Sequence, residues 1–171
     1  MKLRTNKTLT IIFTLLLCSC SISYKFNGAM IDYSKTKSVS VSDFPSIAEA
    51  NPYTALPYEF SEALRDIYTR QTRLQVIKSS GDLHLEGEIT DLQLAPMAIA
   101  ADTYAAQTKI TISIRVRFTN KAVPEEDFEK NYSAFRQFSS ATTLNDALAA
   151  LIPEIIKEIT EMIFNDTAGK W

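Results

Sequence analysis

The residue types that carry most enzymatic chemistry are scarce in this chain. It has one histidine, His84, so neither a histidine-containing metal site nor a histidine-based catalytic triad can be assembled within it. Its four glycines, Gly28, Gly81, Gly87 and Gly169, form no phosphate-cradling loop. Glu86, Glu88 and Asp91 are carboxylates of the kind used in acid–base catalysis, but nothing around them supplies a pocket or a partner. Arg115 and Arg117 alternate along one segment, and Arg136 follows further on. Two readings stay open for the first two. One is cross-strand ion pairing with Glu86 and Glu88, each pair contributing on the order of a few tenths of a kcal/mol. The other is contact with an anionic ligand, a role that Arg136 would share. The expectation is a protein that is not an enzyme and holds no metal or cofactor.

The two cysteines lie at the end of an export signal. Lys2, Arg4 and Lys7 make a basic start, and Leu9 to Leu17 make an apolar run too short to cross the about 30 Å of a bilayer core but right for a signal peptide. Leu17-Cys18-Ser19-Cys20 resembles a bacterial lipobox, with leucine three residues before Cys20; Cys18 fits worse, because Leu17 precedes it directly. An ordinary signal peptide with incidental cysteines is the other reading. Residues 1–19 are thus expected to be a lipoprotein signal peptide, removed so that Cys20 carries a covalent lipid, palmitate among its acyl chains. The mature chain would then have no disulfide. Losing Lys2, Arg4 and Lys7 from the 18 basic residues leaves 15 against 20 acidic ones, a formal charge of −5. That balance disfavours nucleic acid as a partner. Ser21-Ile22-Ser23-Tyr24 carries no acidic pair, which favours an anchor on the periplasmic side.

The elements that must position these residues are legible from periodicity. The chain of 171 residues, 46% hydrophobic and 22% charged, suits one globular domain, predicted over 37–171 after a tether or edge segment at 20–36. Thr108 to Thr119 alternates without a break, with Ile110, Ile112, Ile114, Val116 and Phe118 on one face and Thr111, Ser113, Arg115, Arg117 and Thr119 on the other. Period two with β-branched residues marks a half-buried strand, here the central one, needing helical cover on one side. Lys37 to Phe44 reads as a first strand, and Pro45, Pro52 and Pro57 make 45–54 a loop. Pro57 suits the first turn of a helix, and Leu56, Phe60, Ala63, Leu64, Ile67 and Gln71 recur at helical spacing over about 17 residues. Leu74 to Ile77 is a short strand, turned by Ser79 to Asp82.

The next strand holds the most informative detail. Leu83, Leu85 and Ile89 put odd positions inward, whereas Leu92 and Leu94 are even. Opposed residues of an antiparallel pair share a face, so Leu94 opposite Ile110 gives an even sum of residue numbers, and Leu85 opposite an even position gives an odd one. One extra residue near Thr90-Asp91, a β-bulge, reconciles the two. Phe128 to Phe138 is the last strand, with Phe128, Tyr132, Ala134 and Phe138 inward and Phe135 on the uncovered face. Thr142-Thr143 offers an N-cap to a closing helix that runs to about Asn165, with Leu144, Leu148, Leu151, Ile152, Ile155, Ile159, Met162 and Ile163 inward. Pro153 predicts a kink or break in it. The fold class is α+β: two layers, a mostly antiparallel sheet of four or five strands with two amphipathic helices on one face.

Two further segments invite functional readings. Ala95 to Ala106, between the long strands, is alanine-rich and carries Met97, Ile99 and Tyr104. It is either an apolar tip that docks on a partner or an extension of both strands to a tight turn at Ala101-Asp102. Asp166-Thr167-Ala168 resembles the short O-glycosylation motif of Bacteroidetes envelope proteins, and Thr167 is expected to be exposed beyond the last helix.

The lipobox at Cys20, the order strand, helix, long strands, helix, and the runs A-A-Q-T-K-I-T-I-S-I-R-V-R-F and Y-S-A-F-R-Q-F together resemble the LptE family of lipopolysaccharide-assembly lipoproteins, in a divergent form, over about 37–165. The resemblance implies an outer-membrane lipoprotein that plugs the large β-barrel LptD and assists its folding and the final transfer of lipopolysaccharide. Lipopolysaccharide itself would be a further contact. The family's basic residues implicated in lipid contact lie at the tip between the long strands and just before the last helix. Here those places read Ala100-Ala101-Asp102 and Ala141-Thr142-Thr143, without Lys or Arg, so the plug role carries over and direct lipid contact there does not. The alternative from another class is a periplasm-facing lipoprotein that binds a soluble or peptidoglycan ligand without a barrel.

Overall fold

The computed structural model describes residues 31–49, 51–97 and 106–169. Cys20 and the signal region, Ile99, Tyr104 and Ala100-Ala101-Asp102 lie outside the described residues. In chain order the elements are β1 (Ser38–Val41), α1 (Leu56–Gln71), β2 (Gln75–Ile77), β3 (Leu83–Met97), β4 (Gln107–Asn120), a 3-10 turn (Pro124–Glu126), β5 (Phe128–Ser139) and α2 (Leu144–Thr167). They build one sheet in the order β2-β1-β3-β4-β5, with both helices on one side, which is the α+β class expected. The long pairs β3–β4 and β4–β5 are antiparallel, but β1 lies parallel to both of its neighbours.

Parallel neighbours require a crossover rather than a hairpin. Helix α1 supplies it between β1 and β2. The second crossover, from β2 to β3, uses only Lys78 to Asp82 and passes across β1 on the side away from the helices. There the Gly81 amide donates to Ser40 Oγ at 3.0 Å, and Ser40 shares a face with its register partner His84. A Cβ on Gly81 would lie 2.5 Å from the Ser40 nitrogen, so the crossing tolerates only glycine. The Asp82 carboxylate closes the turn by accepting the Lys37 amide at 2.8 Å, the Ser38 amide at 3.0 Å and the Ser38 hydroxyl at 2.9 Å. These hydrogen bonds, the Lys37 amide foremost, hold its carboxyl below the usual aspartate range.

β4 is central, and its inner face is dry: Ile110, Ile112, Ile114 and Val116 are fully buried and Phe118 nearly so. Each such side chain contributes about 1.5–3 kcal/mol. Helix α1 covers β1 and β2, while α2 packs on β5 and on α1. The register of β3 on β4 shifts between Ile89 and Asp91, with Leu85 opposite Phe118 and Leu94 opposite Ile110, so the bulge sits where parity demands it. Thr90 steadies it by donating its hydroxyl to the Ser113 carbonyl at 3.0 Å. On the inner side of β3, a Cβ on Gly87 would fall 2.7 Å from the Phe44 ring; the missing side chain makes the seat for Phe44, which meets Phe60 edge-on at 5.1 Å.

Several faces differ from their periodic reading. In α1, Ser61 and Tyr68 are buried while Gln71 is exposed. Ser61 tolerates burial because its hydroxyl accepts the Phe44 amide at 3.0 Å and donates to the Pro57 carbonyl at 2.7 Å. In α2, Leu144 is exposed at the first turn, and Leu151 and Met162 are only partly buried. Thr143 caps that helix as expected, accepting the Asp146 amide at 3.3 Å. The helix is continuous through Pro153 without a break. Ala149, whose carbonyl loses its helical donor to Pro153, lies on the exposed side, where water can serve it.

Candidate functional site

The sheet face away from the helices is the uncovered surface of the domain, and its lower half is a lattice of charges. Register places Glu86 opposite Arg117 and Glu88 opposite Arg115, as alternation predicts. Arg115 Nη2 bonds Glu88, and Arg117 Nη1 lies 3.0 Å from Glu86 Oε1. Glu129 on β5 joins both, at 2.9 Å from Arg117 Nη2 and 4.0 Å from Arg115 Nε. Nothing in the sequence pattern singled out Glu129, although its position opposite Arg117 follows once β5 is set in register. These carboxylates, Glu129 first and then Glu86, raise the Arg117 guanidinium above its ordinary range. Three carboxylates facing two guanidiniums leave this half with a negative balance, and the geometry is that of cross-strand ion pairs. His84 closes the row, with Nδ1 2.8 Å from Ser40 Oγ and Nε2 3.5 Å from Glu86.

Arg136 does not belong to this face. Its even number puts it with Tyr132 and Ala134, and from the rim of the sheet it reaches toward α2, 3.0 Å from Glu154 and 2.6 Å from Glu158. Lys130 makes the same connection lower down, 2.6 Å from Asp166, which also accepts the Tyr132 hydroxyl at 2.8 Å. Burial, with that carboxylate beside it, pushes the Tyr132 phenol upward.

The upper half of the uncovered face has a different character. Phe135 is 52% exposed and Met97 38% exposed. Lys109 lies over the Phe135 ring, 5.4 Å from its centroid. Of the three tip residues singled out by sequence, only Met97 is described; it ends β3 and is exposed.

Thr167 is a correction. It ends α2, is only 6% exposed, and its hydroxyl donates to the Ile163 carbonyl at 2.8 Å while bonding the Tyr68 hydroxyl. An exposed glycan acceptor at Thr167 is therefore ruled out by packing. The three-residue pattern carries no information about the tyrosine that covers it, and burial pushes the Tyr68 phenol upward in turn.

Two helices on one side of a five-stranded sheet, with a charge-lined and partly apolar face left open, define a small two-layer α+β domain. Among the described residues no group of His, Cys, Asp and Glu is placed to hold a metal, and no helix is long and apolar enough to cross a membrane. Rare lipoprotein B of Shewanella oneidensis has a similar structure, with a TM-score of 0.55 at 11% identity, covering 78% of this chain and 95% of that one. A hypothetical protein of Chlamydia trachomatis is also similar, with a TM-score of 0.51 at 16% identity, covering 79% and 98%. At these identities the likeness is one of fold. A comparison with curated protein sequences finds no match. The family described as LptE, lipopolysaccharide-assembly, matches residues 36–167, and the chain belongs to it. It is a non-enzymatic protein of lipopolysaccharide assembly without a cofactor, of a family of outer-membrane lipoproteins whose partner is LptD.

Proposed function

We propose that Cys20 is the lipidated first residue of the mature chain, that the anchor faces the periplasm, and that the domain seats as a plug in an LptD-like barrel during barrel folding and lipopolysaccharide transfer. Family membership across residues 36–167 carries this reading. The exposure of Met97 and Phe135 at the upper end of the sheet supports it, because a plug must exchange water for a partner's wall on its inserted end. Ile99 and Tyr104 belong to the same sequence segment and are part of the proposed docking tip. The arginines fit the plug role as structural groups: Arg115, Arg117 and Arg136 are each held by two carboxylates, which leaves little attraction for the phosphates of a lipid.

Affinity purification from solubilised envelopes tests the proposal. An LptD-like barrel should co-purify with the chain, and Ile99→Asp should reduce the barrel recovered while leaving the melting temperature of the isolated domain unchanged. A chain that carries a soluble or peptidoglycan ligand and no barrel would overturn the plug. Cys20→Ala should release the protein from membranes or leave its precursor uncleaved, since several acyl chains hold stably where one does not. Recovery of that variant in mature, acylated form would show the lipobox assignment to be wrong.

A further inference from the structure

The sheet has one long open edge. Among the described residues, β5 has β4 on one side and no strand on the other. Ile89 gives its carbonyl to the Ile47 amide at 2.9 Å and its amide to the Pro45 carbonyl at 2.8 Å, both on the side away from β4. Ile89 and Ile114 are therefore a non-hydrogen-bonded pair. Antiparallel ladders alternate, so Ile114 and Tyr132 form a bonded pair, and the odd residues of β5 turn their backbone groups outward. The Phe135 carbonyl is taken by the guanidinium of Arg136, at 2.9 Å. Among the described residues no strand or side chain caps the backbone of Glu129, Asn131 or Ser133. On the helix side of this edge, Leu151 and Met162 share a flank of α2 with Glu154, Glu158 and Asp166, the carboxylates that reach Arg136 and Lys130. Both apolar residues there are only partly buried.

The chain enters the described fold below the sheet, where Ile31 lies with Leu83 and Asn120 at the ends of β3 and β4. Ile31 shares a small depression with Ala122, Val123 and Glu126 of the β4–β5 turn and with Thr167. The preceding residues, Ser21-Ile22-Ser23-Tyr24-Lys25-Phe26-Asn27, alternate apolar and polar with a period of two. Ser21 to Met30, fully extended, spans about 33 Å. The rise of β5 from Phe128 to Phe135 is about 25 Å, so the segment is long enough to run its length.

We propose that Ile22 to Asn27 seats as a sixth strand against Glu129–Ser133 of β5, with Ile22, Tyr24 and Phe26 over the Leu151 and Met162 flank of α2. The segment descends to Ile31 while β5 ascends, so the pair is antiparallel. Cys20 is then carried to the level of Arg136, at the same end of the domain as Met97. That orientation of the anchor rests on the lipidation proposed above; the strand itself does not.

Amide hydrogen exchange followed by NMR on the full mature chain in detergent micelles tests this, comparing the native sequence with a Tyr24→Ser, Phe26→Ser variant. The Glu129, Asn131 and Ser133 amides should exchange slowly in the native chain and lose that protection in the variant, while the Ile114 amide stays protected in both and reports an intact fold. Equal exchange at the three edge amides in the two proteins, fast or slow, overturns the strand. Protection that arises only when a barrel partner is added assigns the edge to that partner and overturns it too. If Cys20 proves unmodified while the edge result holds, the strand stands and only the orientation of the anchor falls.

Discussion

The two faces of β4 alternate along one strand, yet they hold their side chains by different physics. Ile110, Ile112, Ile114 and Val116 are held by exclusion of water and by shape, so a change of charge or volume there has no solvent to relax into. On the opposite face, Arg115 and Arg117 are about half exposed and are held by Glu86, Glu88 and Glu129, also partly solvated. Water competes with every one of those pairs, so each contributes little. Stability thus lies on the helix side, and the uncovered side is free to be specialised. Its lower half satisfies its own charges; its upper half, with Phe135, Lys109 and Met97, keeps apolar surface in contact with water.

The largest effect should come from Ile114→Asp, which places a carboxylate without a partner in the dry face and should cost about 3–5 kcal/mol, enough to unfold much of the population. A chemical denaturation midpoint close to that of the native chain would dissolve the contrast between the faces. Next comes Asp82→Asn, which weakens the carboxylate clamp on Lys37 and Ser38. Because the folded-state pKa of Asp82 is depressed, its contribution is fully present above the unfolded value of about 3.9 and is lost as pH falls through the folded value below it. The melting temperatures of the native and Asn proteins should therefore differ at neutral pH and converge in acid; a gap that widens in acid would contradict the sign. Glu129→Gln should cost less than about 1 kcal/mol, and that difference should shrink toward zero at about 1 M salt, where the Debye length is about 3 Å. A larger loss that persists in salt would make the charge lattice a structural core of its own. The smallest effect on stability is expected for Phe135→Ser, within about 0.5 kcal/mol. The same variant should reduce barrel recovered from envelopes, and unchanged recovery would remove the upper half of this face from the docking surface.

How far these features could be read in advance depended on their range. The alternation of β4 marked its buried face residue by residue, and parity between Leu85 and Leu94 located the bulge, because side-chain direction in a strand is a local property with a fixed period. The same arithmetic paired Glu86 with Arg117 and Glu88 with Arg115. Arg136, grouped by sequence with Arg115 and Arg117 as an anion contact, instead falls on the side of Tyr132 and Ala134, where Glu154 and Glu158 of α2 meet it. The parallel placement of β1 between β2 and β3 left no trace in periodicity, since a strand alternates alike whichever way its neighbour runs; the short crossing at Gly81 shows that direction only in three dimensions.

Polar burial was the least legible feature. Ser61 has no place in the apolar repeat of α1, and Thr167 was expected at the surface as part of a modification motif. Each is buried because a hydrogen-bonding partner waits in the core, the Phe44 amide for one and the Tyr68 hydroxyl for the other. Tyr68 and Thr167 are 99 residues apart in sequence. By itself the sequence determined which way side chains point along each strand, where the bulge falls and that Glu86, Glu88, Arg115 and Arg117 share the uncovered face. Only the tertiary structure decided which polar groups go inside, because burying a hydroxyl is tolerable only when a distant segment brings the matching donor or acceptor to it.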